Sequence, residues 1–166
     1  MVAEQNKTEM DSRVINFKAG FDVSFISEAP DRNTFTCVVK AGSRTPIAHY
    51  HEHFDETVKC LKGTTTVLLG NKIIQLSEGE SLLIPKGVVH QISNRTKNTI
   101  EFYCEVLPGV FGYDYFRDIA IITNVDGIPD MDRFMETMKS HGLIPVIGFK
   151  QSLVFAVFRF IRRFKK

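Results

Sequence analysis

No stretch of this chain is long and apolar enough to cross a bilayer as a helix. The longest uninterrupted apolar run, Leu153 to Phe158, falls far short of the ~20 residues a span needs. Residues 143–161 are rich in Leu, Ile, Val and Phe, but Pro145, Gly148, Lys150, Gln151, Ser152 and Arg159 interrupt them. Met1 to Arg13 is polar and lacks the apolar centre of a secretory leader, so residues 1–13 are expected to form a frayed lead-in. Cysteine is scarce: Cys37, Cys60 and Cys104 stand far apart, with no C-x-x-C and no zinc-knuckle spacing. An odd count without a leader fits reduced thiols in a cytoplasmic protein, packed as small hydrophobes on strands. Also missing are a Ser-His-Asp arrangement, a phosphate loop and a dinucleotide fingerprint, which leaves triad hydrolases and nucleotide-binding enzymes without support. A net charge of +2 is too small to mark a nucleic-acid binder. Acidic residues stop at Glu136. Seven basic residues follow, so +2 less seven leaves −5 on residues 1–136.

What is present is ordinary globular material, 43% hydrophobic and 24% charged in 166 residues, enough for one domain with an extension. Residues 21–28 alternate apolar and polar, as a half-buried strand does. Pro30-Asp31-Arg32-Asn33 is a turn cluster, and residues 34–40 are β-branched and aromatic. Further short strands are expected at 57–61, 64–69, 72–76, 81–84, 88–92 and 99–106, joined by turns such as Lys62-Gly63 and Gly70-Asn71. This spacing predicts an all-β sandwich or barrel over residues 14–110. After Leu107-Pro108-Gly109 the pattern changes, and residues 111–166 form a C-terminal helical extension. A short helix is expected over 117–124. Met131, Phe134, Met135 and Met138 then fall at i, i+3, i+4 and i+7, with Pro129 in the first turn and Gly142 at the end. Packing on the barrel accounts for that stripe.

Four of the five histidines lie between positions 49 and 90; His141 stands apart. Side chains two apart on a strand share a face, so His49 and His51 point the same way. Glu56 is five positions beyond His51, and a straight strand would turn it away. A bulge or turn among residues 52–55 is therefore expected. His90 must arrive from another strand. Three imidazoles and one carboxylate suit a divalent transition metal, Zn, Fe, Ni or Mn. His53 shares the face of His49 and His51 if the strand stays regular, and is either a rim histidine or a group beside the ligands. Tyr50 has the wrong parity for the pocket. Asn94 reads as a turn residue.

The stretch from Gly42 to Asn94 resembles the two motifs of the cupins: a Gly, a His-x-His, a Glu four or five residues on and a later Gly, then Gly-x5-Pro-x-Gly-x2-His-x3-Asn. The second motif is met by Gly79, Pro85, Gly87, His90 and Asn94. Glu56 to Gly63 also keeps the spacing, and fifteen residues separate Gly63 from Gly79. Six residues rather than five lie between Gly42 and His49. That departure opens a second register, with His51 and His53 as the pair, but it puts Thr57 or Val58 where the carboxylate belongs. The resemblance covers roughly residues 35–107. It implies a double-stranded β-helix, the jelly-roll cupin barrel, with His49, His51, Glu56 and His90 as ligands of one metal.

Cupins resembling this one include dioxygenases, sugar-phosphate isomerases and small lyases, so the expected function is metal-dependent chemistry on a small molecule. A non-catalytic ligand-binding or sensing cupin is the alternative, and a metal-free structural barrel a third reading that the ligand quartet opposes. A homodimer is expected, because an antiparallel barrel has edges to cover and small cupins are often dimeric, with residues 21–28 pairing across subunits.

The tail is read from its charge pattern. Wrapped as a helix, residues 153–166 place Arg159, Arg162, Arg163 and Lys166 at i, i+3, i+4 and i+7 on one face. Val154, Val157, Phe158, Ile161 and Phe164 fill much of the other. Such a helix docks on its own barrel, on a dimer mate, or on an anionic membrane surface at the cytoplasmic face, where each basic residue contributes roughly 1 kcal/mol. The membrane reading predicts salt-sensitive binding to anionic vesicles that disappears when residues 150–166 are deleted. Equal sedimentation of the full-length and truncated proteins would eliminate it.

Overall fold

Residues 13–45, 47–148, 154, 156–158, 160 and 161 are described by a computed structural model. The alternation at residues 21–28 produces a strand of the same bounds. β1 (Val14–Phe17), β2 (Phe21–Glu28) and β3 (Asn33–Val39) form an antiparallel run. β4 (His49–His51) and β5 (Asp55–Lys62) follow, then β6 (Thr64–Leu69), β7 (Lys72–Ser77), β8 (Ser81–Ile84), β9 (His90–Ser93) and β10 (Ile100–Leu107). Two helices, α1 (Tyr113–Thr123) and α2 (Met131–Ser140), and a last strand, β11 (Leu143–Pro145), complete the described elements. The strands make two antiparallel sheets, in the orders β1-β2-β3-β10-β5-β8 and β11-β4-β9-β6-β7. This is the mostly-β, two-sheet jelly-roll architecture.

Strand alternation puts one face of each sheet inward. β10 buries Ile100, Phe102, Cys104 and Val106, while Glu101, Tyr103 and Glu105 stay half-exposed. All three cysteines are buried and free. The turn before β6 depends on Gly63, whose φ is 81° and whose missing Cβ would come 3.0 Å from Ile100 Cγ2. A side chain there would be strained both in the backbone and against the core.

α1 begins four residues earlier than the sequence pattern predicts. The crowded aromatics are its first turn: Tyr115, Phe116, Ile119 and Ile122 are buried at i, i+1, i+4 and i+7. Phe116 meets Phe35 at 5.2 Å and Phe25 at 5.7 Å between ring centroids, which joins the helix to β2 and β3. Gly112 offers the helix no capping side chain, and β2 supplies one instead: Glu28 Oε1 accepts the Tyr113 N–H at 2.7 Å. A Cβ at Gly112 would lie 2.3 Å from that oxygen, so the carboxylate reaches the helix start only because the residue is glycine. Asn124 ties the other end to β1 by accepting from Lys18 N at 2.9 Å and donating to Asn16 O.

The Met stripe folds as expected, with Phe134 and Met138 buried. Its cap differs: Asp130 is the N-cap and accepts from Arg133 N at 3.2 Å, so Pro129 precedes the helix instead of occupying its first turn. Gly142, at φ 75°, follows the helix end and turns the chain into β11.

One further expectation needs correction. Residues 143–145 join the five-stranded sheet beside β4, where a helical extension was expected. β3 pairs with β2 from Phe21 to Glu28, and β1 pairs with it on the other side over Phe21 to Ser24. Pro46 and the basic residues Arg159, Arg162, Arg163 and Lys166 lie outside the described residues. Among the described tail residues the backbone is helical, with Val154 and Val157 exposed and Phe158 and Ile161 half-buried. No described helix is long and apolar enough to cross a membrane.

Candidate metal centre

β4 and β5 are neighbours in sequence but belong to opposite sheets. The chain crosses between them at residues 52–54, which form a bend, in the interval where a break in the strand is expected from parity. Crossing the sandwich, rather than bulging within one strand, is what lets Glu56 face His49 and His51. His90 arrives on β9, directly opposite His49 in the antiparallel register. The Pro85–Gly87 turn is pinned to the same strand, because Gly87 N–H donates to His51 O at 2.8 Å. The motif glycine therefore ties the approach to β9 onto β4. Asn94 closes the following loop: it donates to Val39 O and Asn98 O at 2.9 and 2.7 Å and accepts from Thr96 N at 2.9 Å.

The three imidazoles each bring a ring nitrogen within 4.8 Å of the others. Glu56 Oε2 lies 3.4 Å from His90 Nε2 and 3.7 Å from His51 Nε2. All four residues are buried. Backbone carbonyls set the tautomers: His49 Nδ1 is 2.9 Å from Ile47 O and His90 Nδ1 is 3.0 Å from Val88 O. A carbonyl only accepts, so each Nδ1 carries a hydrogen and Nε2 is the nitrogen left to bind an ion. In His90 that nitrogen faces a carboxylate oxygen, and the pair is stabilised by a positive centre shared between them, a proton or a metal ion. His51 Nδ1 is buried with no hydrogen-bond partner, and the ring stacks on Phe54 at 4.0 Å. The donor set, the tautomers and the unpartnered nitrogen fit a divalent transition metal.

Electrostatics agree with that fit. Burial, reinforced by His90, lowers His49 to about 4. Burial also lowers His51 to about 3, against the opposing pull of Glu56. For Glu56, burial alone would raise the pKa; the hydrogen bond from His90 and the nearby His51 outweigh it and bring it to about 2. At neutral pH His49 and His51 are thus uncharged beside an ionised Glu56, the protonation states that metal ligation requires.

These side chains line a cavity of about 60 Å³ whose other walls are mostly apolar. Phe21, Phe35 and Phe102 come from the sheets. Phe111, Tyr115, Phe116, Ile119, Phe134 and Met138 come from the segment after β10, and Leu143 from β11. Two other placements matter. His53 sits in the bend after β4, with its side chain 67% exposed and 3.5 Å from Glu52, and is not among the lining residues. Tyr50 faces away and pairs with Ile144. Sequence pattern alone did not point to Cys104, whose thiol donates to Glu56 Oε1 at 3.1 Å. The alternation of β10 places Cys104 on the inner face, which is the signal that could have found it.

The sequence profile of the Cupin domain family matches residues 35–106. Quercetin 2,3-dioxygenase of Bacillus subtilis is 31% identical over 97 residues, 55% of this chain and 28% of that protein. Mannose-1-phosphate guanylyltransferase of Sinorhizobium fredii is 33% identical over 63 residues, 38% of this chain and 12% of that protein. The chain therefore spans less than a third of either relative. The structure of a RmlC-like cupin from Shewanella frigidimarina superposes with a TM-score of 0.53 at 12% identity, covering 64% of this chain and 92% of that one. At that identity the likeness is one of fold.

The buried neutral histidines make a pH prediction. In the unfolded chain each titrates near 6.5; in the folded, metal-free protein His49 and His51 stay neutral down to about 4 and 3. Unfolding therefore takes up protons once the pH falls below 6.5, and stability drops as the pH falls from there toward 4. The loss between pH 7 and pH 5 is on the order of 2 kcal/mol for each histidine. Glu56 adds to this only below 4.5, its unfolded value. Urea midpoints of the metal-free protein should fall between pH 7 and 5, and the slope should flatten in a His49→Gln/His51→Gln variant. A midpoint independent of pH in that window would contradict the assignment.

Proposed function

We propose that this chain, a cupin-superfamily protein by its cupin domain at residues 35–106, holds a divalent transition metal on His49, His51, Glu56 and His90 and converts a small, largely apolar molecule beside it. The observation that carries this reading is the convergence of three buried imidazoles and a carboxylate on one apolar cavity. The metal, when bound, supplies Lewis acidity and coordination positions that four protein ligands leave open. Zn, Fe, Ni and Mn all suit such a set.

The chain's own residues set what can enter. A cavity of about 60 Å³ is several times the roughly 10–15 Å³ that one water needs by the same measure, which favours a small substrate. The phenylalanine, isoleucine and methionine walls exclude water and favour an apolar body. No lysine or arginine is among the described lining residues, so a phosphate group would find no cationic partner there. Dioxygenase or lyase chemistry on an uncharged molecule is therefore favoured over sugar-phosphate isomerisation. The partial likeness to a quercetin 2,3-dioxygenase supports the same direction. Tyr115 also lines the cavity. Burial, with Glu56 adding, raises its pKa, so its hydroxyl stays protonated and able to donate a hydrogen bond.

A second reading, a binding or sensing cupin without turnover, is favoured by one observation. Apart from the four proposed ligands, no carboxylate or imidazole is among the described lining residues to act as a general base. Both readings require the metal, and one experiment orders them. Elemental analysis of the native protein should find one transition metal per chain, reduced at least tenfold in His49→Ala/His51→Ala. The metal-loaded protein is then offered diketones, thiols and sugar phosphates. Turnover of an uncharged substrate supports the enzyme. Tight binding without turnover supports the sensor. Equal metal content in wild type and variant would sink both.

A further inference from the structure

The pocket treats the two oxygens of Glu56 differently. Oε2 faces the imidazoles, 3.4 Å from His90 Nε2 and 3.7 Å from His51 Nε2. Oε1 is taken by Cys104, whose Sγ donates to it at 3.1 Å. The sheet register puts the two side chains together. β5 and β10 are antiparallel, with Glu56 opposite Val106 and Cys104 opposite Val58. Glu56 and Cys104 are therefore diagonal neighbours on the inner face of one sheet, within reach of each other.

Both side chains are buried, Cys104 at 1% and Glu56 at 7% exposure, so water does not compete for this hydrogen bond. The contact to Glu56 Oε1 is that of a thiol hydrogen on a carboxylate oxygen. A neutral S–H is a donor, whereas a soft-metal ligand would be a thiolate. Its hydrogen goes to the carboxylate oxygen that does not face the imidazole cluster.

We propose that Cys104 is a positioning residue for the metal centre: by occupying Oε1, it leaves Glu56 only Oε2 to present to the ion. This rests on the metal-binding reading above and adds a role that neither cupin motif contains. A carboxylate tethered at one oxygen is a one-point ligand with a fixed orientation. Released from the thiol, it can rotate, engage the ion through both oxygens and close a position that substrate would otherwise use. Partners of this kind, acting through a ligand, typically alter metal affinity by about 10- to 100-fold.

The test uses the full-length protein and Co(II), with affinity read by chelator competition and coordination read from the visible spectrum. Cys104→Ala should weaken Co(II) binding by about 10- to 100-fold and shift the ligand-field bands. Cys104→Ser keeps a donor and should restore affinity to within about threefold of wild type by the same reasoning. The thermal midpoint of each metal-free variant reports folding separately. The discriminating arm is Glu56→Ala, in which Cys104→Ala should change nothing more, because the residue acts through that carboxylate. Equal losses from Cys104→Ala with and without Glu56 would overturn the inference, since they would mark a packing effect. Unchanged affinity and spectrum in Cys104→Ala would overturn it as well. Failure of the wild-type protein to bind Co(II) would instead remove the metal centre on which the inference rests.

Discussion

Four ionisable side chains buried between two largely apolar sheets are the constraint on which this structure turns. An isolated ionised carboxylate moved to such a place is destabilised by several kcal/mol unless charge or hydrogen bonds compensate. Glu56 accepts a hydrogen bond from the Cys104 thiol on one oxygen and turns the other to His51 and His90, where a shared proton or metal ion would balance its charge. His49 and His51 respond to the same burial by losing their protons, which leaves electron pairs available inside the pocket. The sandwich makes this convergence possible because consecutive strands, β4 and β5, lie on opposite sheets and face each other across it.

The likeness to other proteins and the walls of the cavity come from different parts of the chain. The family profile ends at residue 106, whereas Phe111, Tyr115, Phe116, Ile119, Phe134, Met138 and Leu143 all line the pocket. β11 runs beside β4, so Leu143 pairs with His51 itself. The C-terminal segment is therefore continuous with the ligand strand in both hydrogen bonding and packing. The four candidate ligands lie within the matched residues, and much of the cavity wall that faces them lies in a segment the profile does not cover.

Much of the barrel was legible from local pattern. Period-two alternation placed β2, and glycine-containing turns placed the β6–β7 hairpin and the approach to His90. These features are encoded within a few residues of where they act. Parity required a break between His51 and Glu56, and the bend at residues 52–54 is that break. What parity could not reveal was its form, a crossing between sheets, because that depends on which strand each segment pairs with. The same limit hid β11, a three-residue strand whose pairing partner lies about ninety residues earlier. Cys104 and Glu56 meet only through the β5–β10 register, and Glu28 caps α1 across 85 positions of sequence. Apolar composition rightly marked Phe134 and Met138 as packing residues, but not the cavity they enclose with His49 and His51.

X-ray absorption at the metal edge of the loaded, full-length protein addresses the ligand set without assuming any substrate. Three imidazole rings and at least one oxygen, at about 2.0–2.2 Å, with no sulfur in the coordination shell, is the expected result. Sulfur scattering at about 2.3 Å, or an imidazole count of one or none, would contradict a centre built from His49, His51, Glu56 and His90.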